Sequence, residues 1–239
     1  MIDNDLLRTQ TARFGVSLTD NMCRKFDRYA ELLVEWNEKM NLTAITDPVG
    51  IAVKHFADSV SAMPLLPEKQ GIRVIDVGTG AGFPGIPLAI VRPDIRVTLL
   101  DSLNKRLTFL DEVCRQLGIE AETVHARAED GARDQTLRER FDVATARAVA
   151  ALPVLAEYCL PYVKVGGRFI AMKGPESEAE CAAAARAIAL LGGGSPVCHA
   201  LQLTVGAETP DRRLFVIEIA KHTPTAYPRP TAKIKKGAL

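Results

Sequence analysis

Four glycines at one corner of this chain could bring a backbone against a ligand: Gly78, Gly80, Gly82 and Gly85, within Val74-Ile75-Asp76-Val77-Gly78-Thr79-Gly80-Ala81-Gly82-Phe83-Pro84-Gly85. Glycine turns with φ above zero and has no Cβ to hold a ligand off. A helix starting at such a corner presents unpaired N–H groups to an acceptor. The chemistry is that of a nucleotide-type cofactor site. Asp101 follows about 20 positions on, where an acid can take hydrogen bonds from ribose hydroxyls or cap the next helix. Arg147 closes a later strand, and its pKa makes it an orienting group rather than a base. The five cysteines are scattered without a C-x-x-C, and the four histidines lack ligand spacing, so no metal site is expected. The cysteines read as reduced core thiols, with Cys159 inside an apolar helical pattern.

These residues need strands and helices to place them. Arg73 to Val77 is a short β-branched run, expected as a strand covered on both faces. Pro84 suits a helix start, and Ile86, Leu88, Ala89 and Ile90 repeat at helical spacing until Arg92-Pro93-Asp94. Strand and helix signals then alternate, which predicts a parallel α/β sheet. The expected strands are 95–101, 120–125, 141–148 and 168–174, the last entered by a turn at Gly166-Gly167. Two closing strands are expected near Val197 to Val205 and Arg213 to Ile219. The intervening helices are Leu103 to Leu117, closed by Gly118, then Leu152 to Tyr162 and Glu178 to Leu191. Gly78, Asp101, Ala128-Glu129 and Arg147 all fall at carboxyl ends of strands, where open α/β sheets bind ligands.

Three segments follow from this pattern. Residues 1–66 are a helical extension packed on the core, 67–220 the main domain, and 221–239 a basic tail. In the extension, Thr19 is an N-cap and Met22, Phe26, Ala30, Leu33 and Met40 make one stripe, with Tyr29 and Trp36 at its border as packing residues. A second helix from about Val49 to Met63 carries Lys54, His55 and Asp58 on polar positions. Pro224, Pro228 and Pro230 are expected to keep the tail extended. At net charge +1, a nucleic-acid contact must come from a local patch. Lys54, His55, Lys173, Arg229, Lys233, Lys235 and Lys236 are the candidates by charge and location. With 47% hydrophobic and 25% charged residues, no bilayer-spanning stretch and no signal peptide, a cytoplasmic monomer without membrane contact is expected.

Two parsings of the glycine corner compete. Gly80 to Gly85 matches G-x-G-x-x-G, the dinucleotide fingerprint, which would imply a NAD-dependent oxidoreductase. Asp76 to Gly82 gives D-x-G-x-G-x-G, which resembles class I S-adenosylmethionine-dependent methyltransferases. The wider chain resembles the small-subunit ribosomal RNA guanine-N7 methyltransferases, the glucose-inhibited division protein B family. Trp36 to Ile45, Lys54 to Ser59, Asp76 to Pro87, Leu100 to Arg106, Thr145 to Ala148, Gly166 to Gly174 and Tyr227-Pro228-Arg229 carry that likeness, nearly end to end.

The resemblance implies a Rossmann-like, seven-stranded, mostly parallel sheet and S-adenosylmethionine as cofactor, leaving as S-adenosylhomocysteine. It implies cofactor contacts at Gly78 and Phe83, with Gly80 and Gly82 in the same loop. Asp101, Ser102 and Leu103 would hold ribose and adenine, Ala128 and Glu129 the adenine side, and Arg147 would lie near the reactive methyl. The implied substrate is a guanine N7 in the decoding region of 16S ribosomal RNA, within the small ribosomal subunit. The residues agree with that chemistry. After the fourth strand stands Thr-Ala-Arg-Ala-Val-Ala rather than the Asn/Asp-Pro-Pro-aromatic run of amine methylation. A non-catalytic ribosome-binding module with the same fold is the remaining alternative.

Overall fold

A computed structural model describes residues 1–204 and 211–239, with only the backbone of Glu178. The chain opens with α1 (Asn4–Ala12), capped where the Asp3 carboxylate accepts from Leu6 N at 2.9 Å. The long α2 (Asp20–Met40) starts where the Thr19 hydroxyl accepts from Met22 N, and it ends at Asn41 in the left-handed region. Its stripe buries Phe26, Tyr29, Ala30 and Leu33, as its spacing predicts. Trp36 packs on Phe109, a structural role.

The second expected helix differs in kind. After α3 (Pro48–Gly50), capped by Asp47, the chain makes a π-helical stretch at Ile51–Ala57 and returns as α4 (Asp58–Val60). Such π segments recur at functional sites. His55 and Asp58 do not occupy solvated positions; both are buried.

From there β1 (Arg73–Val77), α5 (Gly85–Val91), β2 (Arg96–Asp101), α6 (Asn104–Leu117), β3 (Ala121–His125) and α7 (Ala128–Gly131) alternate. They lead to β4 (Phe141–Arg147), α8 (Leu152–Cys159), β5 (Val163–Lys173), α9 (Glu178–Leu190), β6 (Val197–Gln202), β7 (Asp211–Glu218) and α10 (Thr231–Ile234). The described residues form a seven-stranded sheet ordered β3-β2-β1-β4-β5-β7-β6. β1 to β5 run parallel, and β7 is antiparallel to β5 and to β6. β1 is central and buried, which is why its sequence is apolar on both faces. The extension is part of one core: Phe26, Tyr29 and Phe56 cluster with Phe83, Leu99 and Leu110.

Further expectations need correction. β5 begins at Val163 rather than after Gly166-Gly167: Val163 pairs with Phe141 and Arg168 with Val143, so residues 164–167 bulge inside the strand. The helix after Leu152 gives way to a 3₁₀ turn at Leu160–Tyr162. β6 ends at Gln202, and Val205 lies outside the described residues. The tail is not extended but folds back, with α10 in it, held where Arg138 donates to the carbonyls of Thr223, Pro224 and Tyr227. Of the cysteines, Cys23, Cys114 and Cys159 are core residues, whereas Cys181 is half-buried and Cys198 exposed.

Candidate functional site

A cavity of about 780 Å³ opens at the carboxyl ends of β1, β2 and β4, within the size of small-molecule and cofactor sites. Its floor is the glycine corner. Gly78 (φ +70°) and Thr79 both donate their N–H to Leu100 O, at 2.8 and 3.0 Å, and Gly80 (φ +60°) donates to Asp101 Oδ2 at 3.0 Å. Asp76 ties the corner together from beneath. It is fully buried, and its carboxylate accepts from Thr79 Oγ1 (2.7 Å), Gly85 N (2.9 Å) and Thr145 Oγ1 (3.1 Å). Burial raises its pKa to about 6 against the opposing pull of those donors.

The four glycines part company here. Gly78 and Gly80 line the cavity, and Gly82 does not. At φ +98°, a Cβ on Gly82 would stand 2.5 Å from Tyr29 Oη and under 3 Å from Ile86 and Leu110. Gly82 is there so that α2 can press on the loop, where the Tyr29 hydroxyl donates to Ala81 O.

On one side lie the expected ribose and adenine residues. Asp101 is 2% exposed; Oδ1 accepts from Leu103 N at 2.9 Å and Oδ2 from Gly80 N, with Arg106 paired at 3.3 Å. The acid thus braces both its own turn and the glycine corner. Ser102, Ala128 and Glu129 also line the cavity, whereas the Leu103 side chain is exposed away from it. Glu129 is buried, and its carboxylate accepts from the Thr231 hydroxyl.

The other side is built around Arg147. Its Nη1 donates to Lys54 O (2.9 Å) and to Asp58 Oδ2 (2.8 Å), and its Nη2 donates to His55 Nδ1 (3.3 Å). Because Arg147 can only donate, His55 Nε2 carries the ring proton and gives it to Thr43 Oγ1 at 2.8 Å. Phe83 takes the His55 ring at 4.5 Å and 15°, with the Arg147 guanidinium 4.8 Å from its centroid. Burial first, then the Arg147 charge, drive the His55 pKa down to about 3, so the imidazole is neutral at physiological pH. Asp58 also accepts from Arg212 Nε at 3.0 Å through its other oxygen.

The cationic candidates separate in the same way. Lys54, His55, Lys173 and Lys235 line the cavity. The Lys173 side chain is 11% exposed and already bound to Ala150 O and Glu180, both at 2.8 Å. Arg229 is turned inward: its guanidinium and backbone N–H bond the fully buried Glu157 carboxylate at 2.7–3.1 Å. Lys233 and Lys236 are exposed and do not line the cavity.

Asp58, Arg212, Thr79 and Thr231 belong to the site although their types and spacing gave them no role in it. Asp58 lies about one helical turn from Lys54 and His55, and the sequence groups it with them on polar positions without giving it a part in the site. Arg212 and Thr231 carry no such local signal. Among the described residues, no group of acids, histidines and cysteines could hold a metal ion.

A family model described as GidB, rRNA small subunit methyltransferase G, matches residues 22–204. A Ribosomal RNA small subunit methyltransferase G of Acetivibrio thermocellus is 49% identical over 235 residues, covering 98% of this chain and 96% of its own. The protein of the same name from Clostridium perfringens (strain 13 / Type A) is 46% identical over 236 residues, covering 98% of both chains. Among solved structures, the YcgJ protein from Bacillus subtilis has a TM-score of 0.53 at 12% identity, covering 70% of this chain and 100% of that one. A predicted O-methyltransferase from Agrobacterium tumefaciens has a TM-score of 0.52 at 18% identity, covering 66% and 79%. These two likenesses speak for the fold alone.

Proposed function

The chain belongs to the family of rRNA small subunit methyltransferase G, and from that premise we propose that it methylates N7 of a guanine in 16S ribosomal RNA with S-adenosylmethionine as donor. The substrate in this reading is the decoding region within the small subunit, met in the cytoplasm. No described helix is long and apolar enough to cross a membrane.

The cavity suits the cofactor on its own chemistry. Buried carboxylates at Asp101 and Glu129 offer acceptors for hydroxyl and amine donors, and positive-φ glycines at 78 and 80 keep side chains out of the floor. Gly78, Gly80, Phe83, Asp101, Ser102, Ala128 and Glu129 would hold it. Bound there, it supplies an electrophilic methyl group on a sulfonium centre.

The observation that carries the N7 reading is the furnishing around Arg147, where the His55 ring and both Asp58 oxygens are already committed to guanidiniums. Among the described residues no cysteine lines the cavity, and Cys159 is fully buried, which raises its thiol pKa well above the ordinary value. His55 Nδ1 is taken by Arg147, and its pKa is far below the range useful for accepting a proton at pH 7. Guanine N7 needs neither device, because its in-plane lone pair attacks without losing a proton. The work left to the protein is alignment. Three of the five Arg147 N–H groups are spent on Lys54, Asp58 and His55, leaving two among the described residues to orient a substrate. N7 methylation makes the base cationic. A neutral His55 adds no further positive charge where that cation forms, and the Asp58 carboxylate offsets one of the two guanidiniums it holds.

The test is methyl transfer from labelled S-adenosylmethionine to small subunits from cells lacking this gene, followed by nucleoside mass analysis. Label in 7-methylguanosine is the expected result. Label in any other nucleoside refutes the N7 assignment, and no label despite cofactor binding favours the non-catalytic module.

A further inference from the structure

The tail was a candidate RNA arm, yet its best-defined contacts point into the protein. Arg229 is fixed by the Glu157 carboxylate, which has no exposed surface, and Arg133 donates to Pro228 O. Ile234 is 2% exposed, and Tyr227 and Leu239 pack on the core cluster beneath α8. Two residues of this docked segment, Thr231 and Lys235, line the cavity. Both lie beyond residue 204, where the match to the family model ends.

The contact that matters is between Thr231 and Glu129. Glu129 starts α7 at the end of β3, is 4% exposed and lines the cavity. Its Oε1 accepts from the Thr231 hydroxyl, and among the described residues no other group donates to that carboxylate. A buried carboxylate held by a single hydroxyl has its rotamer set by that hydroxyl, and its remaining lone pairs are free for a ligand. Tyr158 of α8 also lines the cavity beside Glu129, Thr231 and Lys235, so the wall runs from α7 through α8 to the tail.

We propose that the docked tail, residues 223–236, is the outer wall of the cofactor pocket, with Thr231 as the positioning residue for Glu129. This rests on the reading of Glu129 as a cofactor contact. Cofactor binding and tail docking are then linked: whatever affinity the docked tail adds for the cofactor, the cofactor returns as extra docking strength. The role is in binding rather than in the transfer step, since the tail touches the wall opposite the Arg147 cluster.

The experiment compares the full chain with Thr231→Val, which keeps shape and removes the hydroxyl, and with Thr231→Ser, which restores it. S-adenosylhomocysteine is titrated calorimetrically into each, and initial rates are measured on unmodified small subunits. Thr231→Val is expected to weaken binding about tenfold, the scale of one hydrogen bond to a charged group. The cofactor KM should rise in step while kcat stays within about twofold, and Thr231→Ser should stay near the original chain. S-adenosylhomocysteine should also slow trypsin cleavage after Lys235 and Lys236 in the original chain. Binding by Thr231→Val within about twofold of the original, equal losses in the Val and Ser variants, or no protection from trypsin each overturns the proposal. An original chain that does not bind S-adenosylhomocysteine overturns the cofactor reading itself, and the wall with it.

Discussion

Replacing Asp58 by Asn tests whether one buried carboxylate holds the Arg147 side of the cavity together. Asp58 is 3% exposed and spends one oxygen on Arg147 (2.8 Å) and the other on Arg212 (3.0 Å). The amide of Asn has one acceptor and one donor. Whichever way it is turned, its NH₂ confronts a guanidinium that can only donate. The change therefore loses a charge-assisted bond and adds a donor–donor clash, with two cations left beside no anion. Breaking a buried pair costs about 3–5 kcal/mol. The side chains of Arg147 and Arg212 are 16% and 23% exposed, so water recovers part of this and the low end, about 3 kcal/mol, is expected. Urea unfolding should show the loss as a lower midpoint with unchanged slope.

The same change frees Arg147 from one of its three anchors. Misplacement of an aligning group by about 1 Å costs on the order of 10²-fold, so kcat should fall about 10- to 100-fold with cofactor affinity nearly intact. A second substitution sharpens the test. In Asp58→Asn/Arg212→Met the amide oxygen is free to turn to Arg147, so the double variant should be more stable than Asp58→Asn by about 1 kcal/mol. A single variant within about 0.5 kcal/mol of the original, or a double variant with no recovery, refutes the shared-carboxylate account.

Three further outcomes are expected. His55 enters the fold neutral, with a pKa lowered from 6.5 to about 3, so the unfolded chain binds one more proton across that window. Stability from this group is full above pH 6.5 and lost as pH falls toward 3, at up to about 1.4 kcal/mol per unit; denaturant midpoints measured from pH 7 to 4 should fall more steeply in the original chain than in His55→Gln. Arg229→Met takes the guanidinium from the buried Glu157 and leaves that carboxylate only the residue-229 backbone N–H, costing about 3 kcal/mol, the low end for breaking a buried pair, while the salt dependence of ribosomal RNA binding stays the same; a shallower salt slope would restore Arg229 as a phosphate contact. Gly82→Ala, strained at φ +98° and crowded by Tyr29, should lower stability by about 2–4 kcal/mol in thermal melts, with affinity of the folded fraction for S-adenosylhomocysteine unchanged.

Local rules made much of this protein legible from its residues. The Thr19 and Gly118 helix ends, the β1 strand and the glycine corner each follow from hydrogen bonds and backbone freedom within a few positions. Parallel strands leave their functional residues at one edge, so the placement of Gly78, Asp101, Glu129 and Arg147 follows from chain order alone. What tertiary structure decided is which charges face one another. Arg147 meets Asp58 across 89 positions, Arg212 meets the same carboxylate across 154, and Thr231 meets Glu129 across 102. No periodicity encodes such pairs; the sheet order and the folded-back tail create them. The same packing turned His55 from an expected surface cation into a neutral buried ring, and Arg229 from an expected phosphate ligand into the partner of Glu157, because burial makes an unpaired charge too costly to leave alone.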